Sequence, residues 1–111
     1  MTCKKNTLTI VPDTSFNERS TYRWVNILRG TTRVGKARGF RHNNTLVIHS
    51  IQVFPEFQHQ GVGEAVITLY KESYSTIIAD RVRNTAKEFW EKMGFVDNRD
   101  GNFVWEKYTN I

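Results

Sequence analysis

Between a run that reads as a strand and a run that reads as a helix stands Gln58-His59-Gln60-Gly61-Val62-Gly63, and no other stretch limits the fold of this chain as much. Residues 48–54 are rich in β-branched and apolar side chains, and Pro55 follows where a strand should stop. Residues 64–74 have helical spacing. A strand, a glycine-bearing turn and a helix start make an anion cradle. Glycine lets backbone N–H groups approach a ligand, and the helix terminus adds unpaired donors and the positive end of a dipole. Phosphate is the expected guest. The turn is not a P-loop, because no Gly-Lys-Ser/Thr follows, and it lacks the first glycine of the dinucleotide fingerprint.

The remaining elements follow from short-range pattern. Residues 8–11 predict an edge strand ended by Pro12, and residues 13–20 are polar and predict a loop. Residues 21–28 and 33–40 predict two strands joined by a turn at 29–32, and Asn43-Asn44 turns the chain into a further strand over 45–54. Val62, Ala65, Val66, Leu69 and Tyr70 then fall on one helical stripe. Thr76-Ile77-Ile78-Ala79 reads as a buried strand, parallel to the one before the helix if the crossover is of the usual kind. Ala86, Phe89, Trp90 and Met93 share a second helical face stopped by Gly94, and residues 95–96 and 103–105 flank a hairpin turn. The order is ββββ-α-β-α-ββ in an α+β domain covering residues 1–111.

At 111 residues there is room for one domain, which buries about two-thirds of its unfolded surface. With 39% hydrophobic and 24% charged residues the chain is neither disordered nor membrane-embedded. No apolar run approaches the roughly 20 residues of a membrane span, and no signal peptide is visible at the start. A lone Cys3 fits a reducing compartment, so a cytoplasmic protein is expected. The net charge of +5 attracts an anion of unstated kind. Arg29, Arg33, Lys36, Arg38 and Arg41 crowd one segment, and Arg81, Arg83 and Lys87 another.

Val53-x-Pro55, Gln58-x-x-Gly61-x-Gly63 and Ala86-Lys87-Glu88-Phe89-Trp90-Glu91-Lys92-Met93-Gly94-Phe95 stand in the order found in the GCN5-related N-acetyltransferases (GNAT), and the chain resembles that family over residues 48–95. The resemblance implies a mixed, mostly antiparallel sheet and acetyl-CoA as cosubstrate, without a metal. It places the backbone of Ile51, Gln52 and Val53 beside the pantetheine arm. The N–H groups of Gln58, His59, Gln60, Gly61, Val62 and Gly63 would face the pyrophosphate, and Arg81, Arg83 and Lys87 would lie toward the phosphate end. Asn84 is similar to the family asparagine that bonds pantetheine, one residue closer to Ala86 than usual, and reads equally as a helix N-cap. The two helices that the family inserts between its first and second strands have no room in residues 12–20. The acceptor side is therefore expected to be open or completed by a second copy of the chain.

Two positions depart from the family pattern. Trp90 stands where many members carry a tyrosine that protonates the departing thiolate; a tryptophan there could pack on pantetheine or fill the core, and its helical spacing favours the core. Tyr70, Tyr74 and Tyr108 are the available substitutes. Val47 stands where some members carry a glutamate base; His49, two residues along and on the same face if pairing is regular, is the first candidate for that task. An imidazole, with an ordinary pKa near 6.5, suits deprotonation of an ammonium. Glu56, His59 and Asp80 are weaker candidates, and Asp80 could instead pair with Arg81 or Arg83.

Three readings follow. The first is an N-acetyltransferase moving acetyl from acetyl-CoA to an amine of a protein or small molecule. The second is a CoA-binding module on the same scaffold without turnover. The third, a nucleic-acid module using residues 29–41 with Trp24 and Phe40, leaves the glycine loop unexplained.

Overall fold

A computed structural model describes residues 7–13 and 23–107; Cys3, Tyr108 and most of the loop expected over 13–20 lie outside them. Four strands come first: β1 (Leu8–Pro12), β2 (Arg23–Arg29), β3 (Thr32–His42) and β4 (Thr45–Val53). Helix α1 (Val62–Ser73), β5 (Thr76–Ala79), helix α2 (Lys87–Lys92), β6 (Val96–Asp97) and β7 (Phe103–Glu106) follow. They build one seven-stranded sheet in the order β1-β2-β3-β4-β5-β7-β6. Every neighbouring pair is antiparallel except β4 and β5, which run parallel because α1 carries the chain across between them. The element order and the mixed, mostly antiparallel sheet are those expected from the sequence.

The meander is closed by tight turns. Asn43 takes a positive φ of 56° at the β3–β4 turn, a conformation that asparagine tolerates better than most residues. Strand β3 then lies so close to β4 that a side-chain carbon on Gly39 would meet the Val47 carbonyl oxygen at 2.2 Å. Only glycine permits that approach.

Strand β4 is not regular, contrary to the even alternation expected from its sequence. Arg38 pairs with Ser50 and Gly39 with Ile48, so His49 has no Cα partner across β3. This extra residue is a β-bulge, which bends the strand and reverses the inward parity beyond it. Leu46 and Ile48 sit in one core cluster, Val53 packs against another, and Ile51 packs against both.

The first cluster draws Ile67 from α1, Trp90 from α2, Ile77 and Ala79 from β5, and Phe103 from β7. The second joins Val62 and Val66 of α1 to Ile27, Val34 and Ala37 of the meander. Fully burying one such aliphatic or aromatic side chain stabilises by about 1.5–3 kcal/mol. Helix α1 begins two residues before the expected start, at Val62. Its buried residues are Val62, Val66 and Ile67, and Ala65 and Leu69 from the expected stripe lie at its margins. Lys71, on the same helix, donates to the Met93 carbonyl at the end of α2 and lies 5.2 Å from the centre of the Trp105 ring. Burial lowers its pKa from the ordinary lysine value. Lys71 thereby ties α1 to the end of α2.

Candidate functional site

The bulge at His49 has a second effect: β4 and β5 part company. Their ladder runs from Thr45 and Thr76 to Ile48 and Ala79, and one further bond closes it, from the Asp80 N–H to the Ile48 carbonyl at 2.8 Å. Beyond that point β4 continues along β3 to Val53, whereas the other chain turns away at Arg81, whose φ is 54°. The turn is held by the Arg81 N–H on Asn102 Oδ1 (3.0 Å) and the Val82 N–H on the Gly101 carbonyl (2.8 Å). Residues 50–53 therefore carry a strand edge with no partner strand on the β5 side among the described residues. Such an edge offers backbone N–H and C=O groups to an extended ligand. The opening is a cleft of about 890 Å³.

At the wide end of this cleft lies the glycine loop. After β4 the chain makes a single 3₁₀ turn, Pro55–Phe57, closed by the Phe57 N–H on the Phe54 carbonyl (2.8 Å). The Gln58 side chain donates back to the Val53 carbonyl at 3.0 Å and ties the loop to the strand end. His59 and Gly61 both take positive φ, 65° and 80°, and Gly61 is the N-cap of α1. No side chain caps this helix start, and its first bond runs from the Ala65 N–H to the Gly61 carbonyl. The N–H groups of the first turn have no partner inside the helix, and they carry the positive end of its dipole. Gly63 keeps that turn close to Phe89, 3.5 Å from where a side-chain carbon would sit. The only carboxylate in the turn, Glu64, is engaged by Lys92 at 2.8 Å, a bond that raises the Lys92 pKa.

The candidates read from the sequence divide at this cleft. His49, Ile51, Gln52, Val53, Gln58, His59, Gly61, Val62, Gly63 and Trp90 all line it. Gln60 and Asn84 do not. The Gln60 side chain faces outward, accepting from Arg29 Nη1 (2.8 Å) and donating to the Glu56 carbonyl (3.2 Å). Asn84 is exposed at the start of the 3₁₀ turn Asn84–Ala86, and it caps neither that turn, whose N-cap is Arg83, nor α2, whose N-cap is Ala86. Its neighbours Thr85 and Ala86 line the cleft instead.

Trp90 has two roles in space: it is 7% exposed, stacked edge-on to Phe89 at 5.1 Å and tilted against Phe95 at 4.8 Å, and it still borders the cleft. No tyrosine among the described residues lines the cleft. Tyr70 lies on the core side of α1, where burial and the neighbouring Tyr74 push its hydroxyl up to about 12. Asp80, a minor candidate in the sequence, lies against His49, with Nδ1 3.4 Å from Oδ2. Trp24 and Arg38 also border the cleft, as partners across β2 and β3 opposite Ser50. The Arg38 guanidinium lies 5.6 Å and the Lys36 ammonium 4.6 Å from the Trp24 ring centre. Among the described residues no group of three or more His, Cys, Asp or Glu is placed to hold a metal ion. No helix there is long and apolar enough to cross a membrane.

Residues 21–97, which contain the whole of this cleft's lining, match the acetyltransferase (GNAT) domain. The chain belongs to the GNAT acetyltransferase family. A curated relative from Bacillus cereus strain AH820, an uncharacterized N-acetyltransferase, is 35% identical over 69 residues, which are 60% of this chain and 43% of that protein. The chain thus spans less than half the length of the curated relatives it matches. Among solved structures, the Bacillus subtilis N-acetyltransferase YlbP in complex with coenzyme A superposes with a TM-score of 0.60 at 24% identity, covering 75% of this chain and 66% of that one. A GNAT acetyltransferase from Elizabethkingia anophelis with acetyl-CoA bound gives a TM-score of 0.60 at 17% identity, covering 89% and 97%. At these identities the likeness is one of fold, and it includes a GNAT sheet of the kind described above.

Proposed function

We propose that this chain binds acetyl-CoA in the cleft between β4 and β5 and transfers the acetyl group directly to an amine of a protein or small-molecule acceptor. One observation carries the reading. In a GNAT chain, the edge of residues 50–53, which has no partner strand on the β5 side among the described residues, leads straight to the uncapped first turn of α1. An edge strand suits the pantetheine arm, whose amides alternate as a peptide's do, and the helix start suits its pyrophosphate. Coenzyme A and acetyl-CoA in the two solved relatives support the choice of ligand.

In this reading the backbone of Ile51, Gln52 and Val53 pairs with pantetheine, and an amide of that strand polarises the thioester carbonyl. The N–H groups of the Gln58–Gly63 loop take the pyrophosphate, with Gln60 contributing backbone only. Arg81 and Arg83, both lining the opposite wall, supply positive charge toward the phosphates. Phe89 and Trp90 pack on the arm, while Asn84 has no part in the cleft. His49, at the narrow end where the strands part, takes a proton from the acceptor ammonium. The chain holds two reactants side by side, and much of the acceleration comes from that placement.

A second reading, a CoA-binding module without turnover, is favoured by one observation: no tyrosine among the described residues lines the cleft, and Trp90 cannot give a proton to a thiolate. Calorimetric titration separates ligand classes. Acetyl-CoA is expected to bind one site per chain, and desulfo-CoA, which keeps the phosphates and both amides of the pantetheine arm but not its sulfur, to bind at the same site. Absence of heat with either, together with salt-sensitive binding of an oligonucleotide, would replace this reading with a nucleic-acid one.

A further inference from the structure

The narrow end of the cleft contains a pair that no motif announces. His49 is the bulge residue of β4, and Asp80 is the first residue after β5; they are 31 positions apart and meet where the two strands separate. Nδ1 of His49 lies 3.4 Å from Oδ2 of Asp80, with the two side chains 28% and 18% exposed. The backbone of Asp80 is anchored at this place, because its own N–H closes the β4–β5 ladder on Ile48, the residue before His49. The chain beyond it is held by Asn102 and Gly101. Both residues line the cleft.

We infer that Asp80 is a positioning residue for His49: its carboxylate holds the imidazole in the tautomer with the proton on Nδ1, so that Nε2 is the nitrogen that accepts a proton. This rests on the acetyl-transfer reading above and adds to it the group that makes His49 a base of fixed orientation. A carboxylate can only accept a hydrogen bond from Nδ1, never donate one, at any pH where it is ionised. The tautomer is therefore set by the partner and not by chance. The proton balance is then simple. Nε2 removes one proton from the acceptor ammonium; the freed nitrogen pair forms the N–C bond; the C–S bond breaks with its electron pair remaining on sulfur. The second proton lost by the nitrogen ends on that sulfur, giving amide and free thiol, and the proton held on Nε2 passes to solvent. While Nε2 is protonated, the Asp80 carboxylate faces the imidazolium through Nδ1–H and stabilises it.

Asp80→Asn tests this with the smallest change of shape. The amide can turn its NH2 toward Nδ1 and so reverse the bond, placing the proton on Nε2. The expected result is a fall in kcat on the order of 10-fold or more, with the KM for acetyl-CoA and the melting temperature unchanged. His49→Ala should fall at least as far, and Asp80→Asn should cause no further loss in the His49→Ala background. A merely structural aspartate would lower kcat equally in both backgrounds. A second measurement needs neither acetyl-CoA nor acceptor: the 15N spectrum of the imidazole at alkaline pH, assigned through His49→Ala, should show the Nδ1–H tautomer in the wild type and a shift toward Nε2–H in Asp80→Asn. An unchanged tautomer, or additive losses in the double variant, would overturn the inference. If the wild type turns over no amine, the acetyl-transfer reading falls, and the tautomer measurement still decides the part of Asp80.

Discussion

Gly63→Asp should weaken acetyl-CoA binding on the order of 100-fold, or about 2.8 kcal/mol, while leaving the folded domain intact. The two halves of that expectation come from one place in the chain. Gly63 is in the first turn of α1, where a carboxylate interacts favourably with the helix dipole and adds about 0.3–1 kcal/mol of stability. Its side-chain carbon would meet only the Phe89 ring edge, at 3.5 Å, an ordinary contact. The fold has no reason to reject the substitution. A pyrophosphate does, since the new charge would occupy the field that the ligand needs, and like charges brought together cost several kcal/mol. Gly63→Ala, with the same backbone demand and no charge, should retain most of the affinity. Calorimetry and a melting curve on both variants check this. Equal affinity in Gly63→Asp and wild type would mean that the phosphates do not sit at the start of α1.

The largest loss of stability is expected from Trp90→Ala, about 3–5 kcal/mol. The indole is 7% exposed and makes ring contacts with Phe89 and Phe95, and it joins α2 to the sheet through the cluster of Ile48, Ile67, Ile77 and Phe103. Domains of this size have total stabilities of about 5–15 kcal/mol, so the variant should melt about 15 °C or more below the wild type. Trp90→Phe, which keeps a ring in the core, should lose far less. It also separates packing from chemistry. If Trp90 only packs, Trp90→Phe retains wild-type kcat once the protein is folded; a collapse of kcat at unchanged melting temperature would give the indole a part in the reaction.

Element order was readable because each element carries its own period and its own punctuation. The stripe of Val62, Val66 and Tyr70, the apolar Thr76–Ala79 run between helices, and the Asn43-Asn44 turn left few other ways to arrange the chain. The shape of the glycine loop was readable because it depends on backbone conformation and not on side-chain direction. Gly61 takes the positive φ that its position demands, and the loop lies where a strand ends and a helix begins.

The narrow end of the cleft was harder. Its bulge does leave a trace, since the apolar positions of β4 switch from Leu46 and Ile48 to Ile51 and Val53, even to odd, across His49. Period-2 alternation assumed over the whole strand hides that switch. Side-chain directions left no trace. Gln60 is drawn outward by Arg29, and Asn84 loses its cleft position to Thr85 and Ala86 because a 3₁₀ turn precedes α2. Asp80 meets His49 only because the β4–β5 ladder ends where it does, a consequence of register that residue types do not encode.

Product stoichiometry tests the central claim most directly. The protein is incubated with acetyl-CoA labelled in the acetyl group and with a panel of peptides, polyamines and small amines, and both free thiol and acetylated amine are measured. The expected result is equimolar thiol and labelled amide with at least one acceptor, both lost in Gly63→Asp at concentrations that saturate the wild type. Stoichiometric acetyl-CoA binding with no acetylated amine across the panel would contradict it and leave a module that holds acetyl-CoA without using it.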